Sequence, residues 1–490
     1  MHDAPSVQSI DDRPISGQVN STPPRVCILA RKKLQHNTRV ARQARILEAA
    51  GFDVVVVSLA KPFESLMARS PKTSYIAVEA RPLFIRLIKL GWLKAFPATP
   101  RAAGEGTGDM PSSTPGHVVP APVRTMLALL LVGFLRLAGI SPDGQAPTTE
   151  MVRKIGLGVC LDRIYNAALE FLMTRGFAKW ACLAVEDMRV DVVQAHDIYS
   201  LLAADRLARK RAVPMVYDAV EMPDDRSGQS MRWTPGWLLA RETRISERII
   251  SRAAGVMTVS NGLADWMADR YGIARPHLVR NCRYFADIEP NDQIRRDLGL
   301  PEEARLILYL NSLYAGQGLE QLLESMVYMS PAAHVATLGP VTQKNFDSYL
   351  RAKAEELGVS ERFHILPVKP PDEMLSYASG ADFGVVPRQN TSFNNYISLP
   401  NRLFELVMAR LPLAVSSLPD MRSFVAEYGI GVSFDETRPK NIAKVINELL
   451  KPDALARYRV AVGEAARRLS WEREGEKYVA LVREALSTAS

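Results

Sequence analysis

The sequence predicts two doubly wound α/β domains facing each other across a cleft. Three observations carry that expectation. Uninterrupted β-branched runs such as Phe52 to Leu59 (FDVVVVSL) alternate with helix-length segments, as parallel strands buried on both faces require. Two such series follow one another, joined by a charged, turn-rich stretch at residues 284–300 (YFADIEPNDQIRRDLGL). The chain, at 490 residues, is long enough for two or three separate cores.

Taken in order, residues 1–23 are polar and Pro-containing and read as a disordered lead. Arg25 to Ala30 (RVCILA) reads as a first buried strand. Thr38 to Ala50 reads as a helix with Val40, Ala44 and Leu47 on one face, closed by Gly51. Phe52 to Leu59 then completes a βαβ start. Residues 62–180 read as an insertion into this first domain, which spans 24–283. Within it, Arg81 to Phe96 (RPLFIRLIKLGWLKAF) mixes large apolar residues with Arg86, Lys89 and Lys94, a composition suited to the headgroup plane of a bilayer. Residues 97–122 are rich in Pro, Gly, Ser and Thr and read as flexible. Thr125 to Leu135 (TMLALLLVGFL) is too short to span a bilayer, leaving a core helix or an interfacial one.

Regular alternation resumes with a strand at Asp191 to Ala195, a helix from Ser200, and strands at Met215–Asp218 and Gly255–Val259. A helix from Asn261 to Tyr271 and a short strand near Leu278 follow. After the linker, a second domain (301–469) is expected with strands at Leu306–Leu310, His334–Leu338, Arg362–Leu366, Asp382–Val386, Leu413–Val415 and Gly431–Phe434. Ser470 to Leu486 reads as a terminal helix, within a final segment of residues 470–490.

Composition narrows the function classes. Hydrophobic and charged fractions of 47% and 23% are those of a soluble globular protein. The four cysteines, Cys27, Cys160, Cys182 and Cys282, show neither CxxC nor His-paired spacing, so buried thiols of a reducing compartment are expected, not a disulfide framework or a zinc site. The first residues lack the pattern of a secretory signal, and a cytoplasmic location is expected. The net charge of +8 is uneven: Lys and Arg outnumber Asp and Glu by 18 to 11 over residues 1–150 and by 43 to 42 over the rest. Such asymmetry suits an anionic partner. No nucleic-acid recognition motif accompanies it, whereas apolar segments lie in the same region. An anionic membrane surface is therefore the favoured partner, with a peripheral position at the inner membrane face.

The most informative stretch is Ile397 to Ser417 (ISLPNRLFELVMARLPLAVSS). A polar loop ends in Leu399-Pro400-Asn401, a helix opens, and Glu405 sits one turn in. Free N–H groups at such a helix start suit a phosphate, and a carboxylate nearby suits the hydroxyls of a ribose. The plainer alternative is a strand–helix–strand corner with a surface Glu. A second candidate is the loop Asn311 to Glu320 (NSLYAGQGLE), where Gly316 and Gly318 flank a helix start. A third is Pro367 to Asp372 (PVKPPD), read as a turn before a helix capped by Asp372. In the first domain, His196 and Asp197 fall at the carboxyl end of a strand, where open α/β sheets bind ligands. A lone strand-end His is also commonly structural.

Ser398 to Glu405 (SLPNRLFE) resembles the SLPN[K/R]LFE motif of one branch of the retaining glycosyltransferases with the GT-B fold. RVARQARILEAAGFDVVVVS resembles the opening of many members. The resemblance covers Arg25 to about Leu486 apart from the insertion. It implies two Rossmann-like domains, a terminal helix crossing back onto the first domain, and transfer of a sugar from a nucleotide diphosphate sugar. The donor is a substrate, and no other cofactor is implied. With no Asp-x-Asp in the chain, no metal clamp is indicated. Retention would proceed by front-face attack, the acceptor proton passing toward the leaving phosphate. The acceptor expected is a lipid-linked or polysaccharide precursor.

Residue by residue, the resemblance assigns His196 to catalysis. Arg402, a cation one turn before Glu405, is read beside it as a catalytic substitute for the missing cations, the plainer alternative being a surface Arg. Gly316, Gln317, Gly318, Val368, Leu399, Pro400, Asn401 and Glu405 fall on the donor side, and Asp197 and Glu221 on the acceptor or sugar side, where Asn281, following a strand that faces the cleft, is also placed by its position. Four departures stand out. Ser312 and Gln317 occupy positions where cations are usual, Ile397 replaces the first of two Glu residues spaced eight apart, and Val220 replaces a His. Those losses keep open a catalytically weakened scaffold, and less readily a nucleotide-sugar 2-epimerase of the same fold.

Overall fold

The structure is a computed structural model that describes residues 22–31, 38–59, 72–78, 121–137, 140, 147–155, 157–222, 234–289 and 291–488. The interfacial segment expected at 81–96, the flexible stretch up to residue 120 and most of the N-terminal lead lie outside the described residues.

The first domain carries a seven-stranded parallel sheet: β1 Arg25–Ala30, β2 Asp53–Ser58, β3 Ser74–Ala77, β4 Val192–His196, β5 Met215–Ala219, β6 Gly255–Thr258 and β7 His277–Leu278. Its spatial order is β3-β2-β1-β4-β5-β6-β7. Helices of this half are α1 Thr38–Ala49, α2 Ala121–Leu137, α3 Thr149–Ile155, α4 Leu157–Ala184, α5 Leu201–Arg211, α6 Gly236–Ile250 and α7 Asn261–Tyr271. The second sheet has six parallel strands in the order β10-β9-β8-β11-β12-β13: β8 Arg305–Leu310, β9 Ala333–Leu338, β10 Phe363–Leu366, β11 Phe383–Val386, β12 Leu413–Ser416 and β13 Gly431–Phe434. Around it lie α8 Gln293–Asp297, α9 Leu319–Met326, α10 Phe346–Glu356, α11 Met374–Ala378, α12 Phe393–Tyr396, α13 Asn401–Met408, α14 Pro419–Tyr428, α15 Pro439–Leu449 and α16 Pro452–Arg468. The chain ends in α17, Trp471–Ser487.

The strand order of each sheet reverses once, between β1 and β4 in the first and between β8 and β11 in the second. The crevices beyond the carboxyl ends of those strand pairs are where such sheets bind ligands. Along β1, successive side chains point to opposite faces. Cys27 and Leu29 pack with Phe177, Ala178 and Ala181 of α4, while Val26 and Ile28 pack with Trp471, Tyr478 and Val482 of α17.

The terminal helix therefore serves as a layer of the first domain. Trp471 N–H donates to the Arg283 carbonyl at 2.7 Å, and buried Glu474 accepts from Arg280 N–H at 2.8 Å. A Cβ on Gly255 would lie 2.6 Å from Leu481 Cδ1, so the absence of a side chain on β6 lets this helix approach.

Two stretches differ from expectation. Residues 62–180 are not wholly an insertion: β3 pairs with β2, and α4 supplies core residues as above. The edge position of β3 explains why it was not anticipated, since its residues (SYIA) are only half buried and carry no apolar run. The linker at 284–300 contains α8, whose Ile294 is fully buried in the second core.

A buried polar network ties three of the first domain's elements together. Arg39 of α1 holds Asp218 of β5 in a bidentate pair, Nε to Oδ2 at 2.9 Å and Nη2 to Oδ1 at 2.8 Å. Gln43 Nε2 donates to the same carboxylate at 2.8 Å, and Gln194 of β4 donates to Gln43 Oε1 at 3.1 Å. Burial alone would raise the Asp218 carboxyl, but the Arg39 guanidinium and the His196 hydrogen bond hold it far below the usual carboxylate range. Removing one member of a fully buried pair strands the other charge. We expect Arg39→Met to lower unfolding stability by about 3–5 kcal/mol, measured by urea denaturation; a loss below about 1 kcal/mol would contradict the network's role.

In the second domain, His334 of β9 and His364 of β10 stack, with Nδ1 and Nε2 3.1 Å apart. Burial, with the neighbouring His334, lowers His364 to about 4, and burial also lowers His334. Both are depressed, so their contribution is complete above the ordinary histidine value near 6.5. It is lost as pH falls from there to about 4, because the unfolded chain binds more protons over that window. We expect stability to drop by about 1–2 kcal/mol across it, allowing for partial solvent screening. The slope should flatten in His364→Gln, read from unfolding at stepped pH.

Candidate active site

On the first-domain side, the crevice between β1 and β4 is bordered by Arg31 and by His196-Asp197. His196 is the last residue of β4 and is 3% exposed. Its Nδ1 faces Asp218 Oδ2 at 3.1 Å, which fixes the ring's orientation through the buried network. Asp197 takes a left-handed backbone, φ 73°. Its Oδ1 accepts from Tyr199 N–H at 2.9 Å and Ser200 N–H at 3.2 Å, so the carboxylate shapes the turn into α5. That is a local structural duty in addition to the sugar-side role the sequence suggested. Arg31 pairs with Glu170 of α4 at 2.5 Å and lies 4.4 Å over the Tyr199 ring. Glu221 is exposed just beyond β5.

On the second-domain side, the loop from Asn311 to Gly318 leaves β8 and enters α9. Gly316 and Gly318 have φ of 82° and 85°, and a Cβ on Gly318 would fall 1.8 Å from the Pro387 carbonyl oxygen. Only glycine fits there, so the loops after β8 and β11 lie against one another. Gln317 Oε1 accepts from Asn311 Nδ2 at 3.4 Å. Val368 is exposed on the loop after β10. The following helix starts at Met374 with Glu373 in the N-cap position, one residue later than the Asp372 cap expected. The intervening residues form a hydrogen-bonded turn, in which the Pro370 carbonyl accepts from Glu373 N–H at 3.1 Å and Met374 N–H at 3.0 Å, so the chain is already turning where the regular helix begins.

The Leu399-Pro400-Asn401 corner opens α13, with Pro400 as extended N-cap. Glu405 is 9% exposed and is held from both domains. Arg402 Nη1 lies 2.5 Å from Oε2, and Arg283 Nη2, from the segment after β7, lies 3.4 Å from Oε1. Arg402, expected as a cation for phosphate, thus has a carboxylate partner one turn away. Beside them Asn281 Nδ2 donates to Asn401 Oδ1 at 2.9 Å, and Arg42 of α1 donates to Asn281 Oδ1 at 2.5 Å.

A second set of contacts closes the cleft. Ile397 sits with the first domain's apolar cluster, alongside Leu263 and Met267 of α7, and Ser260 Oγ donates to the Ile397 carbonyl at 2.7 Å. Gly262 N–H donates to Asp420 Oδ2 at 2.9 Å, placing a carboxylate from the start of α14 at the start of α7. Burial raises Asp420, with the Gly262 N–H and Ser260 hydroxyl pulling the other way. Met222 N–H donates to Asn394 Oδ1 at 3.2 Å.

The structure thus gathers Asn281, Asn401, Arg402 and Glu405 into one cluster. His196 belongs to a separate one, and Glu221 and Val368 stand at the ends of their own strands. Sequence reasoning missed Arg39, Arg42, Asp218 and Arg283. The first and third carried a signal, a charged residue inside an apolar helix face and another inside an apolar strand. Asp218 is the acidic residue of that segment whose Oδ2 faces His196 Nδ1.

Comparison with known proteins agrees with this architecture. Residues 36–282 match the family model described as glycosyl transferase 4-like domain, and residues 290–469 match glycosyl transferases group 1. Among curated proteins, the chain is 28% identical over 203 residues to D-inositol 3-phosphate glycosyltransferase of Corynebacterium urealyticum, covering 39% of this chain and 46% of that one. It is 24% identical over 297 residues to the enzyme of the same name from Xylanimonas cellulosilytica, covering 58% and 69%. The chain spans about half the length of the first of these relatives. Sucrose-phosphate synthase from Thermosynechococcus elongatus shares the fold at a TM-score of 0.64 and 13% identity, over 95% of this chain and 100% of that one. So does Anabaena HepE, solved with UDP, at 0.59 and 11%, over 95% and 100%. With one model covering half of the chain and a second most of the remainder, the chain belongs to the GT-B glycosyltransferases.

Proposed function

We propose that this protein transfers a sugar from a nucleotide diphosphate sugar to a lipid-linked or polysaccharide-precursor acceptor, with retention of anomeric configuration. The observation that carries the reading is the Glu405 cluster, where Arg402 from one domain and Arg283 from the other meet a single carboxylate at the start of a helix. Each carboxylate oxygen has two lone pairs, so Glu405 accepts from ribose hydroxyls while keeping its guanidinium partners. In this reading the free N–H groups at the start of α13, from Asn401 on, and at Gly318 face the diphosphate, where negative charge grows as the sugar departs.

His196, oriented by Asp218 through Nδ1, serves the sugar side. In front-face transfer the acceptor oxygen bonds to the anomeric carbon as the bond to the diphosphate breaks. Its proton passes to the departing phosphate oxygen, so no separate protein base is required. HepE has been solved in complex with UDP-glucose, which supports a nucleotide-sugar donor for this fold. The relatives' name supplies D-inositol 3-phosphate as an acceptor to include in assays.

A membrane-proximal acceptor is supported by α2. Its Leu131, Val132 and Leu135 are buried, while Met126, Leu129, Leu130, Phe134 and Leu137 are exposed, Leu137 by 92%. The helix thus combines the two roles the sequence left open, packing on one side and presenting an apolar face on the other. Among the described residues no helix is long and apolar enough to cross a membrane. The uncharged Ser312 and Gln317 favour one other reading, a scaffold that binds nucleotide without turnover.

We expect the purified protein to be stabilised by one nucleoside diphosphate in a thermal-shift panel and to turn over the matching sugar donor. Glu405→Gln should weaken donor binding by roughly tenfold or more, by calorimetry. Binding with no turnover across donors and acceptors would select the scaffold. For the membrane, wild-type protein should co-float with phosphatidylglycerol vesicles, and the double variant Leu130→Asp, Phe134→Asp should stay behind. Equal flotation of both would remove α2 from the contact.

A further inference from the structure

The donor crevice of the second domain lies between β8 and β11, and one charged side chain in it has no role so far. Arg388 stands two residues past the end of β11, between the loop that carries Tyr314 and α12, which carries Asn395. Its neighbour Pro387 presses its carbonyl against Gly318, which fixes the Arg388 backbone at the glycine loop. The side chain is half-buried. Its Nη2 donates to the neutral amide oxygen of Asn395, and its Nε is enclosed with no hydrogen-bond partner among the described residues. No carboxylate pairs with it among the described residues, in contrast to Arg402 and Arg283, which share Glu405. Burial lowers its affinity for the proton, with Tyr314 acting weakly the other way. An enclosed guanidinium with only neutral partners is costly to fold around, and a planar, five-donor cation is well matched to phosphate oxygens.

We propose that Arg388 is the residue that receives the donor's diphosphate, supplying from the loop after β11 the positive charge that Ser312 and Gln317 do not supply from the loop after β8. This rests on the nucleotide-sugar reading above. Asn395 then acts as a positioning residue: its Nδ2 donates to Thr391 Oγ1 at 2.7 Å, and its N–H donates to Ser392 Oγ at 3.1 Å, so the amide oxygen that holds Arg388 is itself held.

The test is calorimetric binding of UDP, GDP and ADP, each beside its nucleoside, to the full chain and to Arg388→Met and Arg388→Lys. The expected result is that Arg388→Met weakens the preferred diphosphate at least tenfold and leaves its nucleoside unchanged. Arg388→Lys should lose less, and adding Ser312→Arg to Arg388→Met should recover part of the loss. Undiminished diphosphate binding by Arg388→Met would overturn the assignment while leaving the donor reading intact. Equal loss of diphosphate and nucleoside would also overturn it, pointing to a role in folding. If the wild-type protein binds none of the diphosphates, the donor reading itself falls, and this assignment with it. Should Arg388→Met not fold, the Arg388→Lys ratio of diphosphate to nucleoside affinity decides: an unchanged ratio overturns, a reduced one supports.

Discussion

The ion pair between Arg39 and Asp218 is the constraint around which the first domain is arranged. Both side chains are essentially sealed from water, 2% and 0% exposed. A charge in that position requires a partner in good geometry, so α1 must sit over β5 at one angle and height. Gln43 and Gln194 extend the same network into β4, and the Tyr478 hydroxyl joins it from α17 through Gln194. The strand-end imidazole of His196 inherits its orientation from this arrangement. One carboxylate thereby couples the packing of the domain to the geometry of its cleft edge.

The second domain contributes to the cleft by a different logic. Its loops are shaped by backbone constraints: two left-handed glycines after β8, a Pro-led helix start at Asn401, and the close approach of Pro387 to Gly318. Charge enters at Arg388 on the loop after β11 and at Arg402 and Glu405 on α13, and the opposite wall answers with Arg42, Asn281 and Arg283. The loop before α13 also carries Ile397, which packs in the other domain's apolar cluster.

Much of the fold was legible because parallel strands buried on both faces leave a strong mark, as in FDVVVVSL or RLILYL. The places that escaped notice lack that mark. β3 is an edge strand with half-exposed residues, and α8 is a short helix inside a charged stretch. The helix-start motif at Leu399 to Glu405 was legible from local chemistry alone. Arg283, by contrast, is separated from Glu405 by more than a hundred residues, and only the closing of two domains brings them within 3.4 Å. Asp218 lay in view within MVYDA, yet its partner is 179 positions away. Periodicity reports burial, but it carries no information about which distant charge satisfies a buried one.

The seat of Ile397 has a kinetic consequence. Parting the domains returns an isoleucine to water at about 2 kcal/mol, which by itself biases the resting cleft toward closure by roughly thirtyfold. A ligand too bulky for the closed cleft would enter only as that contact breaks, and this contribution alone would slow its association by the same factor. Once inside, the ligand faces the same bias on departure, so occupancy outlasts what its direct contacts alone would give.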